Sequence, residues 1–286
     1  MRVLVTGSGG MLGRDVVTLA QGAAHEVAAL THEELDVTDA AAVDRTFASL
    51  RPNAVINCAA WTDVDAAEDH EREATAVNGE GAGNLAAAAA RIEASVVYPS
   101  TDYVFNGRSS VPYTERDEAD PLSAYGRSKL AGELATIEAN PRHFVVRTSW
   151  AFGPHGKNFV ETMLGLGRER GQVLVVHDQV GCPTYTGHLA AGLLRLIDAN
   201  VYGIHHMTGE GACSWYEFAQ EIFRQAGVDC EVLSATTDMV PRPARRPAYG
   251  VLASMRETPI TLPPWQRGLG EYLKRRAALH PEGAGA

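Results

Sequence analysis

Tyr125 and Lys129 stand four residues apart in an Ala-rich run, P-L-S-A-Y-G-R-S-K-L-A-G-E over 121–133. On a helix, positions i and i+4 project from one face, so the phenol and the ammonium point into one site. A phenol near pKa ~10 is a sluggish acid or base at neutral pH, and a lysine ammonium one turn away is expected to pull that pKa down. Just upstream, an apolar run over 95–98 reads as a strand and ends in the hydroxyl pair Ser100 and Thr101. Thr101, delivered from a strand end, would donate to a carbonyl oxygen or orient it. Thr101, Tyr125 and Lys129 are thus the candidate catalytic group. Their chemistry suits a carbonyl that gains or loses a hydride, because the alkoxide charge on its oxygen needs a proton donor. A lone Tyr-x-x-x-Lys pair is a frequent chance match, so the elements around it decide its meaning.

Those elements alternate strand and helix. Residues 1–6 (MRVLVT) form a β-branched apolar strand suited to the interior of a parallel sheet. It runs into Gly7, Gly10 and Gly13, spaced G-x-x-G-x-x-G, and then into a helical run over 14–20. A side-chain-free turn there lets a pyrophosphate approach a helix N-terminus, where free N–H groups and the helix dipole favour an anion. The loop therefore points to a dinucleotide. The second strand, 26–30, ends at Thr31 and His32 without the acid that would bind a ribose 2′-hydroxyl, although Glu33 and Glu34 follow closely. That favours NADPH, or use of NADPH and NADH alike. Arg14 reads either as a partner for a 2′-phosphate or as a solvated first-turn arginine.

Asp36 and Val37 stand where they could flank an adenine, and Asp39 or Thr38 can cap a helix over 40–50. A third strand, 54–57, leads to Cys58, Ala59, Ala60, Trp61 and Thr62, whose small members leave room for a cofactor at the carboxyl end of a parallel strand. One long helix is expected over 73–91. Its Asn78 is either merely solvated or orients a water or backbone group beside the site. A strand over 143–148 ends in Ser149 and Trp150. Strand–helix alternation across this half, without a repeat, indicates an α/β fold with a doubly wound parallel sheet.

The character changes beyond Gly153. Helices are expected over 158–168, 186–198 and 214–226, the last with Ser214 as N-cap and Glu217 at the capping-box position, with strands over 173–176 and 203–207. The run M-V-P-R-P-A-R-R-P over 239–247 sets arginines on a stiff loop. In an acidic chain it reads either as a site for an anion such as a nucleotide diphosphate or as a solvated surface loop. The expected division is a Rossmann domain over 1–153, with a returning segment around 178–206, and a smaller substrate-binding lobe in the rest of 154–286. The tail after Leu279 is expected to be disordered.

Composition narrows the classes. The 286 residues carry a formal net charge of −10, which argues against nucleic acid as a partner. No apolar run reaches the length of a membrane span and no signal peptide precedes the first strand, so a cytoplasmic protein is expected. Cys58, Cys182, Cys213 and Cys230 are scattered and read as ordinary thiols, and the adjacent His205 and His206 point to opposite faces of a strand. No metal site is expected from them. The chain also lacks a Gly-x-Ser-x-Gly elbow, which weakens a hydrolase reading.

The glycine loop, Thr101 and the Tyr125–Lys129 pair together resemble an extended short-chain dehydrogenase/reductase. More narrowly, VINCAAWTDVDAAE, YPSTDYVF, PLSAYGRSKLAGE, RTSWAFG, KNFVETML, DQVGCPTYTGHLA and RPARRPAYGVL resemble the dTDP-4-dehydrorhamnose reductase family over nearly the whole chain. The resemblance implies NADPH-dependent reduction of the 4-keto group of dTDP-6-deoxy-L-lyxo-4-hexulose to dTDP-L-rhamnose, by a monomer or homodimer. It implies Thr101, Tyr125 and Lys129 as the catalytic set. Gly7, Gly10, Met11, Leu12, Asp36, Val37, Ala59, Ala60, Trp61, Thr62, Tyr125 and Lys129 fall at cofactor positions. Thr101, Asp102, Tyr103, Trp150, Asn158 and Arg246 fall on the substrate side, although Trp150 also reads as a core aromatic.

Two departures qualify the resemblance. The family's R-P-x-N-S loop is here Arg246, Pro247, Ala248, Tyr249 and Gly250, which leaves a different deoxysugar open. Some members hold Mg²⁺ with carboxylates at a dimer interface; Asp15 matches one, but Gly187 and His188 offer no second, so bound Mg²⁺ is not expected. Two other readings compete: a non-catalytic NADP(H)-binding regulatory subunit, which would not need a tuned phenol, and a sugar-nucleotide epimerase of the same superfamily.

Overall fold

Six parallel strands make the central sheet of the computed structural model, which describes residues 1–199 and 201–279. Across the sheet the order is Gly203–His206, His143–Thr148, Ser95–Thr101, Ala54–Asn57, Arg2–Thr6 and Glu26–Leu30. The chain leaves Arg2–Thr6 for Glu26–Leu30 on one side and then crosses to Ala54–Asn57 on the other, so the winding reverses there. A crevice opens outside the carboxyl ends of strands at such a reversal, and it is where open α/β sheets take their ligands.

Side chains alternate between the two sheet faces, and each face is covered. Val3, Val5, Ile56, Val97, Phe144 and Val146 pack with Val16 and Ala20 of the Met11–Gly22 helix and with Leu189, Leu193 and Ile197 of the Thr186–Ala199 helix. Leu4, Val55 and Val96 pack on the opposite side with Val43, Phe47, Leu85 and Ala89, which come from the Ala40–Leu50 and Gly81–Arg91 helices. Burial on both faces explains why these strands read as continuous apolar runs rather than alternating ones. Asp39 caps the Ala40–Leu50 helix by accepting from the Ala42 amide at 3.0 Å.

A second core lies beyond the sheet. Phe152, Val160, Leu164, Phe218, Ile222, Leu269 and Tyr272 gather the Phe159–Glu169, Trp215–Ala226 and Trp265–Leu279 helices. The capping box at Ser214 and Glu217 is formed. The strand Glu231–Ala235, paired with Gln172–Val176, and the Trp265–Leu279 helix carry no sequence expectation, nor do the two-residue strands such as Thr184–Tyr185. The tail after Leu279 lies outside the described residues. All four cysteines are free thiols. No helix among the described residues is long and apolar enough to cross a membrane.

Asp15 is buried, and its carboxylate accepts from Thr186 Oγ1 and Arg275 Nη1, both at 2.5 Å. His188 pairs instead with Glu271 at 2.7 Å. The carboxylate considered above as a metal ligand is thus engaged by the C-terminal helix of its own chain.

The expectation of one long helix over 73–91 needs correction. The segment is a helix over Glu71–Thr75, a single π turn over Ala76–Glu80 and a second helix over Gly81–Arg91. A π turn widens the coil by one residue and recurs at functional sites. The widened turn presses against the Ala124–Ala139 helix at Gly132, where a Cβ would sit 2.0 Å from the Asn78 carbonyl oxygen.

Beneath that contact lies a buried ion pair. Arg147 of the His143–Thr148 strand donates to both Glu133 oxygens, with Nη2 to Oε2 at 2.7 Å, and Ser100 Oγ donates to Glu133 Oε1 at 2.5 Å. One carboxylate on the Tyr125 helix therefore ties together the strand ends that carry Ser100 and Arg147. Substituting Glu133→Gln strands the Arg147 guanidinium, which is only 5% exposed. The expected cost is roughly 3 kcal/mol or more of unfolding free energy, to be read as a lowered urea midpoint.

Candidate active site

Thr101 ends its strand in extended backbone, and its hydroxyl faces two ways. Oγ1 donates to Asp102 Oδ1 at 3.0 Å and accepts from the Tyr103 amide at 3.2 Å. It also lies within hydrogen-bonding reach of the Tyr125 phenol. The Tyr125 helix starts here because Ser123 caps it, accepting from the Gly126 amide at 3.1 Å, while Glu68 takes the free Ala124 amide at 2.9 Å. Tyr103 packs edge-on against Tyr125 with ring centroids 5.5 Å apart. Lys129, one turn on, donates from Nζ to the Pro99 carbonyl at 2.7 Å and lies 4.0 Å from the Tyr98 ring centroid. Thr101, Asp102, Tyr103, Tyr125 and Lys129 are thus brought together at the carboxyl edge of the sheet.

The electrostatics depart from expectation at one point. Lys129 was expected to draw the Tyr125 pKa down. Burial instead pushes the phenol above its ordinary value, the Asp102 carboxylate pushes it further, and only the Thr101 hydrogen bond opposes them. The physical reason lies in where the ammonium is directed, at Pro99 and Tyr98, and in its own burial, which lowers Lys129 to about 7. Burial likewise raises Asp102 to about 7. A phenol so placed stays protonated at neutral pH, the form needed to donate a proton.

The glycine loop fits a dinucleotide. Gly7 has φ +61°, and a Cβ there would meet the Ala59 amide nitrogen at 2.5 Å, so the loop lies directly on the turn after Ala54–Asn57. Gly10 is the N-cap of the Met11–Gly22 helix and brings no side-chain cap, which leaves first-turn N–H groups free for an anion. Met11 and Leu12 open that helix, and Ala59, Ala60 and Trp61 are part-exposed across from it. Asp36 is exposed and held by Thr38, whose amide and hydroxyl donate to Oδ1, whereas Val37 is buried against Gly81. Arg14 is exposed, with Nε on the Gly9 carbonyl at 2.9 Å.

Asn78, fully buried in the π turn, resolves the choice left open above. Oδ1 accepts from the Trp61 amide at 2.9 Å, and Nδ2 donates to the Trp61 carbonyl at 3.1 Å and to Ser128 Oγ at 2.9 Å. It therefore fixes the backbone of the 59–62 turn to the helix that carries Tyr125 and Lys129.

Of the remaining candidates, Trp150 takes the left-handed region at φ +47° and stacks on Trp215, centroids 3.5 Å apart. Asn158 caps the Phe159–Glu169 helix, accepting from the Glu161 amide and donating to the Gly153 carbonyl, so its carboxamide is spent on that turn. Arg246 lines a cleft of about 510 Å³ together with Arg108, Arg242, Arg245 and Gln179. Sequence reasoning missed Asp65, Glu133 and Trp215. Glu133 had a signal, one helical turn beyond Lys129 on the same face; Asp65 and Trp215 act through contacts across the fold and had none.

Fold and site together define an NAD(P)-binding oxidoreductase of the short-chain dehydrogenase/reductase type. A family model described as "RmlD substrate binding domain" matches residues 1–278, and the chain belongs to this dTDP-4-dehydrorhamnose reductase family. It is 45% identical over 275 residues to the dTDP-4-dehydrorhamnose reductase of Mycolicibacterium smegmatis, covering 94% of this chain and 84% of that one. It is 42% identical over 264 residues to a dTDP-4-keto-6-deoxy-D-glucose reductase of Streptomyces niveus, covering 91% of this chain and 92% of that one. Among solved structures, a dTDP-4-dehydrorhamnose reductase from Bacillus anthracis in complex with NADP superposes with TM-score 0.93 at 37% identity, over 96% of this chain and 99% of that one.

Proposed function

We propose that the protein reduces the 4-keto group of dTDP-6-deoxy-L-lyxo-4-hexulose (dTDP-4-dehydro-6-deoxy-L-mannose) to give dTDP-L-rhamnose, with NADPH as the hydride source. The observation that carries this reading is the Tyr125 phenol beside the Thr101 hydroxyl, with Lys129 one helical turn on and Tyr103 between Tyr125 and Arg246 of the arginine-lined cleft. When bound, NADPH supplies the hydride that reaches the sugar carbonyl carbon.

The chain's own residues do the rest. First-turn amides at Met11 and Leu12 hold the pyrophosphate, with Gly7 and Gly10 giving it room; the Gly10 amide itself is held by the Gly7 carbonyl at 3.0 Å. Asp36 and Val37 border the adenine, and the turn Ala59, Ala60, Trp61 and Thr62 borders the nicotinamide. Thr31 and His32 carry no acid themselves, although the Glu34 carboxylate accepts from the Thr31 amide at 2.8 Å, and Arg14, held on the Gly9 carbonyl, is the residue proposed to meet the 2′-phosphate of NADPH. Lys129 spends one of its N–H donors on Pro99 and keeps the others for the nicotinamide ribose. As the carbonyl oxygen gains charge, the Thr101 hydroxyl turns from Asp102 to donate to it and Tyr125 hands over its proton. Asp102, Tyr103 and Trp150 border the sugar, and Arg246 and its neighbours take the diphosphate. Residues 1–153 with the returning segment 178–206 hold the cofactor, and the rest of 154–286 holds the nucleotide sugar.

The test is NADPH consumption with dTDP-6-deoxy-L-lyxo-4-hexulose generated in place, followed by identification of the sugar. Oxidation yielding dTDP-L-rhamnose is expected. Turnover only with a differently configured dTDP-4-keto sugar would move the substrate and keep the reaction. Tight NADPH binding with no oxidation of any such sugar would remove the reductase reading.

A further inference from the structure

Asp65 lies on the segment that follows the 59–62 turn, yet its carboxylate faces the arginine loop. It accepts from Arg246 Nη1 and Nη2, both at 3.0 Å, and from the Ala244 amide at 3.2 Å, with Arg242 at 3.9 Å. The two ends of this contact are 181 residues apart in the chain. A two-point fork fixes the plane of a guanidinium as well as its place. Of the five Arg246 donors, one Nη1–H goes to Asp65 and the other to the Ala244 carbonyl at 3.1 Å, while one Nη2–H goes to Asp65. The remaining donors are left for the neighbouring Tyr103 and for a ligand in the cleft.

The upstream end of the contact is equally rigid. Asn78 grips Trp61 at both its amide and its carbonyl, and Trp61 Nε1 donates to the Asp63 carbonyl at 2.9 Å. Asp63 Oδ1 in turn accepts from the Ala66 amide at 3.0 Å, and its carbonyl accepts from the Ala67 amide at 3.1 Å. Residues 61–67 are thus one hydrogen-bonded piece, with the proposed nicotinamide contact at one end and Asp65 at the other. We infer that Asp65 is a positioning residue that couples the two ligand sites: a dinucleotide seated on the turn holds Asp65 in place, and Asp65 holds Arg246 ready for the nucleotide diphosphate. The inference rests on the proposed function for the identity of both ligands.

Coupling of this kind is reciprocal, which makes it measurable without turnover. Dissociation constants for dTDP with and without saturating NADP⁺, and for NADP⁺ with and without saturating dTDP, are to be measured by calorimetry on the wild type, Asp65→Asn and Arg246→Lys. In the wild type each ligand is expected to tighten the other by the same factor, about fivefold or more. In both variants the factor is expected to fall to about 1, with NADP⁺ alone binding within about twofold of wild type. Arg246→Lys keeps the charge and loses only the fork, so it serves if Asp65→Asn fails to fold. Wild-type coupling retained in a variant, or none in a wild type that binds both ligands, would overturn the inference alone. A wild type that does not bind dTDP would remove the nucleotide-sugar reading and the inference with it.

Discussion

Tyr125→Phe is expected to lower kcat about 10³-fold while leaving NADPH binding within about twofold of wild type. The substitution deletes one oxygen and keeps the ring that packs edge-on against Tyr103. The other acid of the site, Asp102, is engaged by the Thr101 hydroxyl at 3.0 Å. Thr101 still reaches the carbonyl oxygen as a hydrogen-bond donor, but its hydroxyl is far too weak an acid to give the proton up. The loss should therefore fall on kcat, with little change in KM. The pH dependence follows from the same electrostatics. Burial and the Asp102 carboxylate hold the phenol above its ordinary value, so the donor form persists through neutral pH and beyond the range of a free tyrosine. Deprotonation would remove the donor, and the wild-type kcat for reduction should show no loss from that ionisation up to about pH 9.5. A fall with an apparent pKa of about 7–8 that Tyr125→Phe abolishes would mean that the phenol is tuned downward after all.

The parts of this molecule that were legible in the sequence are those set by local chemistry. The strand over Arg2–Thr6 announces itself by β-branched residues, the glycine loop by spacing, and the caps at Asp39 and Ser214 by residue type. The Tyr125–Lys129 pair is legible because helical periodicity alone puts both on one face. What stayed hidden depends on neighbours far along the chain. The π turn at Ala76–Glu80 cannot be read from a run of alanines and glycines, because the Asn78 bonds to Trp61 and Ser128 that accompany it cross 17 and 50 residues. The direction of the Lys129 ammonium is set by the Pro99 carbonyl, 30 residues upstream, and spacing within a helix says nothing about it. The Trp265–Leu279 helix escaped for another reason. Its run W-Q-R-G-L-G-E-Y-L-K-R-R is rich in charge and glycine, and its few apolar side chains find their partners only in the second core.

Lys129→Met is expected to work in two opposite directions, lowering turnover about 10²-fold and stabilising the fold at acid pH. Lys129 is 3% exposed, and burial brings its pKa to about 7, against about 10.4 in an unfolded chain. Between those values the unfolded chain binds more protons than the folded one, so stability rises with pH across the interval. Above pH ~10.4 both states hold a neutral amine and no cost is incurred. As pH falls from ~10.4 to about 7 the folded state loses on the order of 4 kcal/mol relative to alkaline pH, and below about 7, where the buried amine charges as well, the loss levels off. Methionine fills the same channel with an unbranched apolar chain and removes that cost. It also gives up the hydrogen bond to Pro99 and the contact with the Tyr98 ring, together worth about 2 kcal/mol. The net expectation is a variant about 2 kcal/mol more stable than wild type at pH 6, losing that lead across pH ~7–10 and slightly less stable beyond it. Urea unfolding at pH 6 and pH 10, beside kcat at pH 7, decides the matter. A stability difference of the same size at both pH values would show that folding does not depress the pKa of the amine. Wild-type turnover would show that the reaction does not need the Lys129 amine. A gain in stability at pH 6 joined to a loss of turnover would mark Lys129 as a charge kept in a costly place because the reaction needs it there.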